Sequence, residues 1–331
     1  MFASIVVCQA PPTDRRATPR VPRSLLLAAN LPVPIMSHLV SCHFKLSPRA
    51  FVSATALLCT LSASVAGAQS GSSRDRNNDR DRDSREQRKE NAFTWSGTIP
   101  SGRRILVKNI NGAIHVEHSS SSRVEVSAEK TWRRGNPDDV RIEQKSIDGD
   151  DVLVCALWTE ESRCDENGIH TEKRRSGWND RNDVSVRFVV RVPDGVRVDI
   201  ATVNGGLEVS GVTTDVRATT VNGSIDAKSA GGPVRAKTVN GSIRVSMGNL
   251  GNADNLEYET VNGSVTIELP ANFGAQLELS TVNGRVTTDF PILVSGTMSP
   301  RRLRGTVGNG NTRIRASAVN GSITLRKIGN E

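Results

Sequence analysis

At 331 residues the chain has room for one large or two modest domains. Only 36% of it is hydrophobic and 4% aromatic, too lean for a thick globular core but suited to a thin β architecture of Val, Ile, Thr and Ala. The formal charge of +8 suggests a polyanionic partner, yet six Lys/Arg and a single Asp lie in the first 68 residues, which read as a removable leader. What remains is close to balanced, and a general nucleic-acid role loses its main support.

Residues 50–68, AFVSATALLCTLSASVAGA, follow Lys45 and Arg49 and close on Ala66-Gly67-Ala68. A basic flank, a short apolar run and small residues at a cleavage point describe an export signal rather than a membrane span. Translation is expected to begin at Met36, with cleavage after Ala68 and no transmembrane span in the mature chain. Periplasmic, cell-surface and secreted destinations all fit such a signal. Residues 71–90, GSSRDRNNDRDRDSREQRKE, hold no apolar side chain and alternate in charge sign. A stretch that has nothing to bury is expected to be a disordered linker, here 69–91.

The folded part is expected over 92–327. Between 92 and 200, segments such as ILVKNINGAIHVEH, RVEVSAEKTW, DVLVCALW and VSVRFVVRVP alternate apolar with polar residues, the period of half-buried strands. A polar insertion at 161–183 reads as a loop. Cys155 and Cys164, the two cysteines beyond the leader, form an even pair in an exported chain and are expected to be joined as a disulfide. A metal site built from His170 or Asp165 matches no familiar spacing.

From 196 onward one unit recurs: TVNGSI at 220–225 and 238–243, with variants at 202–207, 260–265, 281–286 and 318–323. With each Asn as position zero, −6, −4, −2, +3 and +5 are mostly apolar or small, while −5, −3 and +4 are mostly polar. An earlier copy sits at Asn111, so the corners are Asn111-Gly112, Asn204-Gly205, Asn222-Gly223, Asn240-Gly241, Asn262-Gly263, Asn283-Gly284 and Asn320-Gly321. Asn tolerates left-handed backbone and Gly has no Cβ, which makes the pair a cheap bend. The Asn-Gly-Ser glycosylation sequons that result are coincidental.

Asn-Gly between alternating strands is also the strongest short hairpin signal. Two features favour a wound coil instead. Position −1 is Val or Ile in every copy, and in a coil corner it is expected to turn inward. The corner spacings of 18, 18, 22 and 21 residues suit a coil circumference. The 37-residue gap from Asn283 to Asn320 holds GTVGNGNTRI (305–314), read as a degenerate copy. Stacked at the strand spacing, the coils would make a rod roughly 30 Å long.

The TVNGSI-type units, the leading ILVKNINGAIHV, the RFVVRVP segment and the ending GNGNTRIRASAVNGSITL resemble the bacterial candidate-adhesin family known as DUF4097. The likeness covers roughly 93–327. It implies an all-β fold, a right-handed parallel β-solenoid or β-helix-like stack, and an adhesin-like role.

No catalytic constellation stands out. Beyond the leader the histidines are His115, His118 and His170, and neither HExxH nor GxSxG occurs. Asp148, Asp150 and Asp151 in IDGDDV fail the spacing of a calcium loop and suit a turn. Outward charges such as Arg217, Arg235, Glu257, Glu278 and Arg315 are of mixed sign, as on a soluble surface. The column Thr202, Thr220, Thr238, Thr260 and Thr281 points inward, toward a hydrogen-bonded ladder. Trp132, Trp158 and Trp178, with Arg174 and Arg175, are candidates for a sugar- or polyanion-binding surface, although packing of the insertion explains such rings as well. The reading is a non-enzymatic exported solenoid with no cofactor or metal, contacting cell-surface glycan, peptidoglycan or an envelope protein. The alternatives are a carbohydrate-active β-helix enzyme acting on acidic polysaccharide, or an envelope-stress sensor.

Overall fold

The computed structural model describes residues 87–171, 182–250, 253–294 and 299–329. The leader 1–68, most of the 69–91 linker, and Arg174, Arg175 and Trp178 lie outside them. The described part is built of strands with one short 3-10 turn at Pro137–Asp139. Among the described residues no helix is long and apolar enough to cross a membrane.

Each repeat is one strand entering an Asn-Gly corner and a second strand leaving it. Period-two patterning gives each strand one apolar face. Successive copies pair in parallel without slippage. Entering strands Arg197–Asn204, Val216–Asn222 and Val234–Lys237 align Ile200 with Ala218 and Ala218 with Ala236. Leaving strands Leu207–Ser210, Ile225–Ser229, Ile243–Met247 and Val265–Leu269 align Leu207, Ile225, Ile243 and Val265 in one row. The result is a parallel β-solenoid whose entering and leaving strands form sheets of eleven and ten strands.

The inward rows of both sheets merge into one long core. Ile200, Ile225, Ile243 and Val265 are essentially inaccessible, and each such side chain contributes roughly 1.5–3 kcal/mol of hydrophobic stabilisation. Tyr258, also fully buried, lies between Ala236 and Ala316 in its row. These small neighbours leave width for its ring, and its hydroxyl meets the sulfur of Met247 at 3.6 Å. Burial pushes that phenol well above its ordinary pKa.

All seven corners stack, but not in chain order. The Asn320 coil (Thr312–Asn320 and Ile323–Lys327) lies between the Asn262 coil and the Asn283 coil. The stretch 305–314 is therefore not a degenerate coil. Arg302–Val307 runs antiparallel along the outer side of Ala275–Asn283, aligning Gln276 with Thr306. A turn through Gly308 (φ 58°) and Gly310 (φ 69°) then carries the chain over the start of Ala275–Asn283 to its other side. A Cβ at Gly308 would stand 2.8 Å from the Phe273 carbonyl oxygen.

Outward charge is complementary in this order. In chain order Glu257 and Glu278 would be direct neighbours; the inserted coil places Arg315 opposite both. Like charges across a strand pair repel and opposite charges attract.

The N-terminal end is interleaved too. Arg104–Lys108 lies between Arg197–Asn204 and Asp151–Leu157, and Ile114–His118 lies between Leu207–Ser210 and Ser185–Val192. Antiparallel strands Arg141–Ile147, Val124–Trp132 and Arg88–Gly97 close this end. Arg88–Gly97 begins inside the stretch read as linker. Main-chain pairing and exposed charge contacts such as Lys89 with Glu129 (3.5 Å) hold its polar start, not apolar burial.

The insertion at 161–183 is likewise more than a loop. Its first part is a hairpin, Ser162–Asp165 with Gly168–Thr171. Cys155 and Cys164 are joined as a disulfide, and with Leu106, Leu153 and Leu157 they form a second, small apolar cluster on the outer side of the sheet.

Candidate interaction surface

The corner is the most regular surface of the molecule. Asn222 Nδ2 donates to Asn204 Oδ1 at 2.9 Å, Asn240 to Asn222 at 2.8 Å and Asn262 to Asn240 at 2.7 Å. Asn320 donates to Asn262, and Asn283 to Asn320, both at 2.8 Å. Asn111 departs from the row by donating to the Val184 carbonyl oxygen at 2.8 Å. The ladder holds each exposed amide in one orientation.

Behind it the threonines do form an inner ladder. Thr202, Thr220, Thr238, Thr260 and Thr281 each donate to the corner-glycine carbonyl of the adjoining coil, at 2.7–3.1 Å. In the first coil Asn109 takes this place, donating to the carbonyls of Gly112 and Val186. The serines of the repeat tie the coils together in a third row. Ser224, Ser242 and Ser264 accept from the main-chain N–H of Ser242, Ser264 and Ser322, at 3.2–3.3 Å.

Two expectations about the corner need correction. None of the seven asparagines has a positive φ; the one non-glycine that does, among the described residues, is Asp148. Stacking demands glycine here: a Cβ on Gly223 would come within 1.9 Å of the Gly205 carbonyl oxygen. At Gly205, Gly223, Gly241 and Gly284 stacking alone makes this demand, whereas Gly112, Gly263 and Gly321 also take positive φ (122°, 157° and 155°). The residue before Asn does not turn inward either. Val203, Val221, Val239, Val261 and Val319 are 37–39% exposed and Val282 57%. Their odd offset already placed them outward with −3 and −5, and the corner is too tight to reverse that parity. Exposed Val and Asn rows therefore run side by side along six coils.

Flanking the valines are the outward charges. Glu278 is held below the ordinary carboxylate range first by Arg304, with Arg315 and Arg313 adding to it. Glu257 is lowered first by Lys237, 2.6 Å away, and further by Arg315. A cavity of about 560 Å³ opens over the last coils, where Val282, Val319, Ser280 and Ser317 meet Arg301 and Arg302.

Of the proposed ligand-binding aromatics, Trp132 and Trp158 are half-buried and pack against the main core. Nearby, the Asp183 carboxylate accepts from the N–H groups of Arg133, Arg134 and Gly135. Desolvation, the largest influence on Asp183, raises its pKa, and these bonds outweigh it, leaving the group below its ordinary value. His118 pairs with Asp194 and His170 with Asp165, both at 3.1 Å. Among the described residues no group of three or more His, Cys, Asp or Glu is placed to hold a metal ion.

The family model described as Toastrack DUF4097 matches residues 98–326, nearly the whole solenoid. The chain belongs to this family. Among solved structures, a candidate cell adhesion protein from Clostridium sporogenes is similar at 11% identity and a TM-score of 0.45, over 73% of this chain and 100% of its own. A candidate adhesin from Bacteroides fragilis is also 11% identical, with a TM-score of 0.23 over 74% of this chain and 98% of its own. One from Parabacteroides distasonis is 12% identical, with a TM-score of 0.22 over 71% and 96%. No curated protein matches the chain. In this Toastrack chain the seven Asn-Gly corners are the stacked edges of the rack.

Proposed function

We propose that this Toastrack protein is an exported, non-enzymatic, adhesin-like solenoid whose Val/Asn ladder face contacts a repetitive polymer of the cell envelope, a surface glycan or peptidoglycan strand. The observation that carries this reading is the repetition in register of one exposed side-chain set on adjoining coils. In the ladder each inner amide spends one N–H and one lone pair on its neighbours. A primary amide has two of each, so a donor and an acceptor on every rung are left for sugar hydroxyls. The neighbouring valine methyls suit the apolar faces of a pyranose ring.

One such contact is weak. Rungs spaced by about 4.8 Å present many at once to a partner that is itself periodic, and the effective concentration of each further contact is high. Because the amides are already ordered, binding costs little side-chain entropy. The export signal expected at 50–68 and the adhesin-like role that the resemblance to DUF4097 implies fit this reading.

A binding screen against glycans, peptidoglycan and lipid vesicles tests it. The intact protein is compared with a Val221→Lys/Val239→Lys/Val261→Lys variant and with a variant lacking the 162–171 hairpin. Polymer binding lost in the first and retained in the second is expected. No binding by the intact protein, or binding indifferent to the three lysines, would sink the proposal.

A further inference from the structure

Asn-Gly is the dipeptide most prone to spontaneous deamidation, because glycine lets the following main-chain nitrogen reach the asparagine side chain. This fold carries seven of them at its corners and shields six. The N–H of Gly112, Gly205, Gly223, Gly241, Gly263 and Gly321 each donates to the corner-asparagine carbonyl of the next rung, at 2.8–3.0 Å. These six glycines are buried or half-buried.

The last rung differs. Interior coils supply acceptors on both sides of the corner: for the Asn240 coil, Glu259 takes the Thr238 N–H, Asn262 the Gly241 N–H and Ser264 the Ile243 N–H. Beyond the Asn283 coil the chain replaces a full coil with a shortcut. Arg301 accepts from Thr281 and the adjacent Pro300 accepts from Val286. Two consecutive residues cover the span that five or six cover elsewhere, and the corner between them is bypassed. Among the described residues Gly284 N–H has no hydrogen-bond acceptor, and Gly284 is the one corner glycine that is exposed.

We propose that Asn283 is a site of deamidation, alone among the seven corner asparagines. The Gly284 nitrogen attacks Cγ of Asn283, the C–N bond to the side-chain amide breaks, and ammonia leaves with the proton lost from Gly284. Water then opens the succinimide at either carbonyl to give aspartate or isoaspartate. No oxidant or reductant is needed. The product removes the amide that donates to Asn320 Oδ1 at 2.8 Å and puts a negative charge at the exposed end of the ladder.

The test is to hold the folded protein at mildly alkaline pH, warm but well below its unfolding temperature, and to follow each Asn-Gly by peptide mass spectrometry. Trypsin with a glutamate-specific protease puts Asn262 and Asn283 on separate peptides. Asn309-Gly310, in a turn outside the ladder where Asn309 is exposed and Gly310 half-buried, is the reference for a pair that no coil stacks upon. Asn283 is expected to convert several-fold faster than any of the other six, with the ranking lost in denaturant. Three results would each overturn the proposal: Asn283 intact while Asn309 converts, an interior rung converting as fast, or the same ranking in the unfolded chain.

Discussion

The middle of the solenoid and its two ends are built by different rules. The coils of Asn204, Asn222, Asn240 and Asn262 are added in chain order, each resting on the one before. At the ends the order breaks: the first coil is enclosed by later segments and the last is inserted between two earlier ones. A repeat therefore specifies how two coils stack, but not which two. The middle can depend on nearest-neighbour terms, whereas each end is a cooperative unit that must be complete to close.

Deletions break this comparison most severely. Removing 312–331 takes both strands of the inserted coil and leaves the Asn262 and Asn283 coils without their shared neighbour. The loss is expected to exceed about 5 kcal/mol, a large share of ordinary domain stability, and to appear as rapid proteolysis of 253–310. Removing 223–240 joins Asn222 to Gly241 and excises one coil in register. That protein is expected to remain folded, with a smaller urea m-value in proportion to the surface lost. Equal damage from both deletions would erase the distinction.

Single substitutions sharpen it. Ile243→Ala, in the buried row of the middle, is expected to cost ~2–5 kcal/mol in urea titrations. Replacing Cys155 and Cys164 together with alanine should cost about 2–3 kcal/mol, since the closed loop is short. Its effect is expected at the N-terminal end, as faster proteolysis of the hairpin. Thr238→Val keeps the shape but strips the Gly223 carbonyl oxygen of its Thr donor, for about 1–3 kcal/mol.

How much of this could be read beforehand follows the same division. Strand parity, the seven corners and the inward threonines are local properties of a period-two pattern, and residues such as Ile243 and Thr238 declare them outright. The stacking order is not local. Ile267 presents the same inward face to Leu325 whichever coil supplies it, so the apolar rows are degenerate among neighbours. The outward row Glu257, Glu278 and Arg315 distinguishes the orders by charge complementarity, a signal that is visible in the sequence but gains meaning only when coil orders are compared. The exposed valines were legible too, since −1 shares parity with −3 and −5. The glycine requirement was not, because the clash at Gly223 comes from the carbonyl of another coil. The polar start of Arg88–Gly97 and the 162–171 hairpin lack the apolar alternation by which strands are recognised.

The smallest expected effect bears most directly on why the end is interleaved. Arg315→Glu would set Glu278 and Glu257 beside a third carboxylate in one row. These positions are well hydrated, so the loss at neutral pH should be only about 0.5–1 kcal/mol. Its pH dependence is the sharper readout. In the wild type both glutamates are held below their unfolded value. Their contribution is then fully present above roughly pH 4.3 and is lost as the pH falls through the depressed folded values. In the variant, repulsion raises the affinity of the row for protons, so acidification relieves strain that is present at neutral pH. The stability gap between wild type and Arg315→Glu should therefore narrow from about pH 7 to about pH 4, measured by urea unfolding at low salt. A gap that stays constant would mean that outward charge does not select the neighbour of the Asn283 coil, leaving the capping strand Arg302–Val307 as the feature that does.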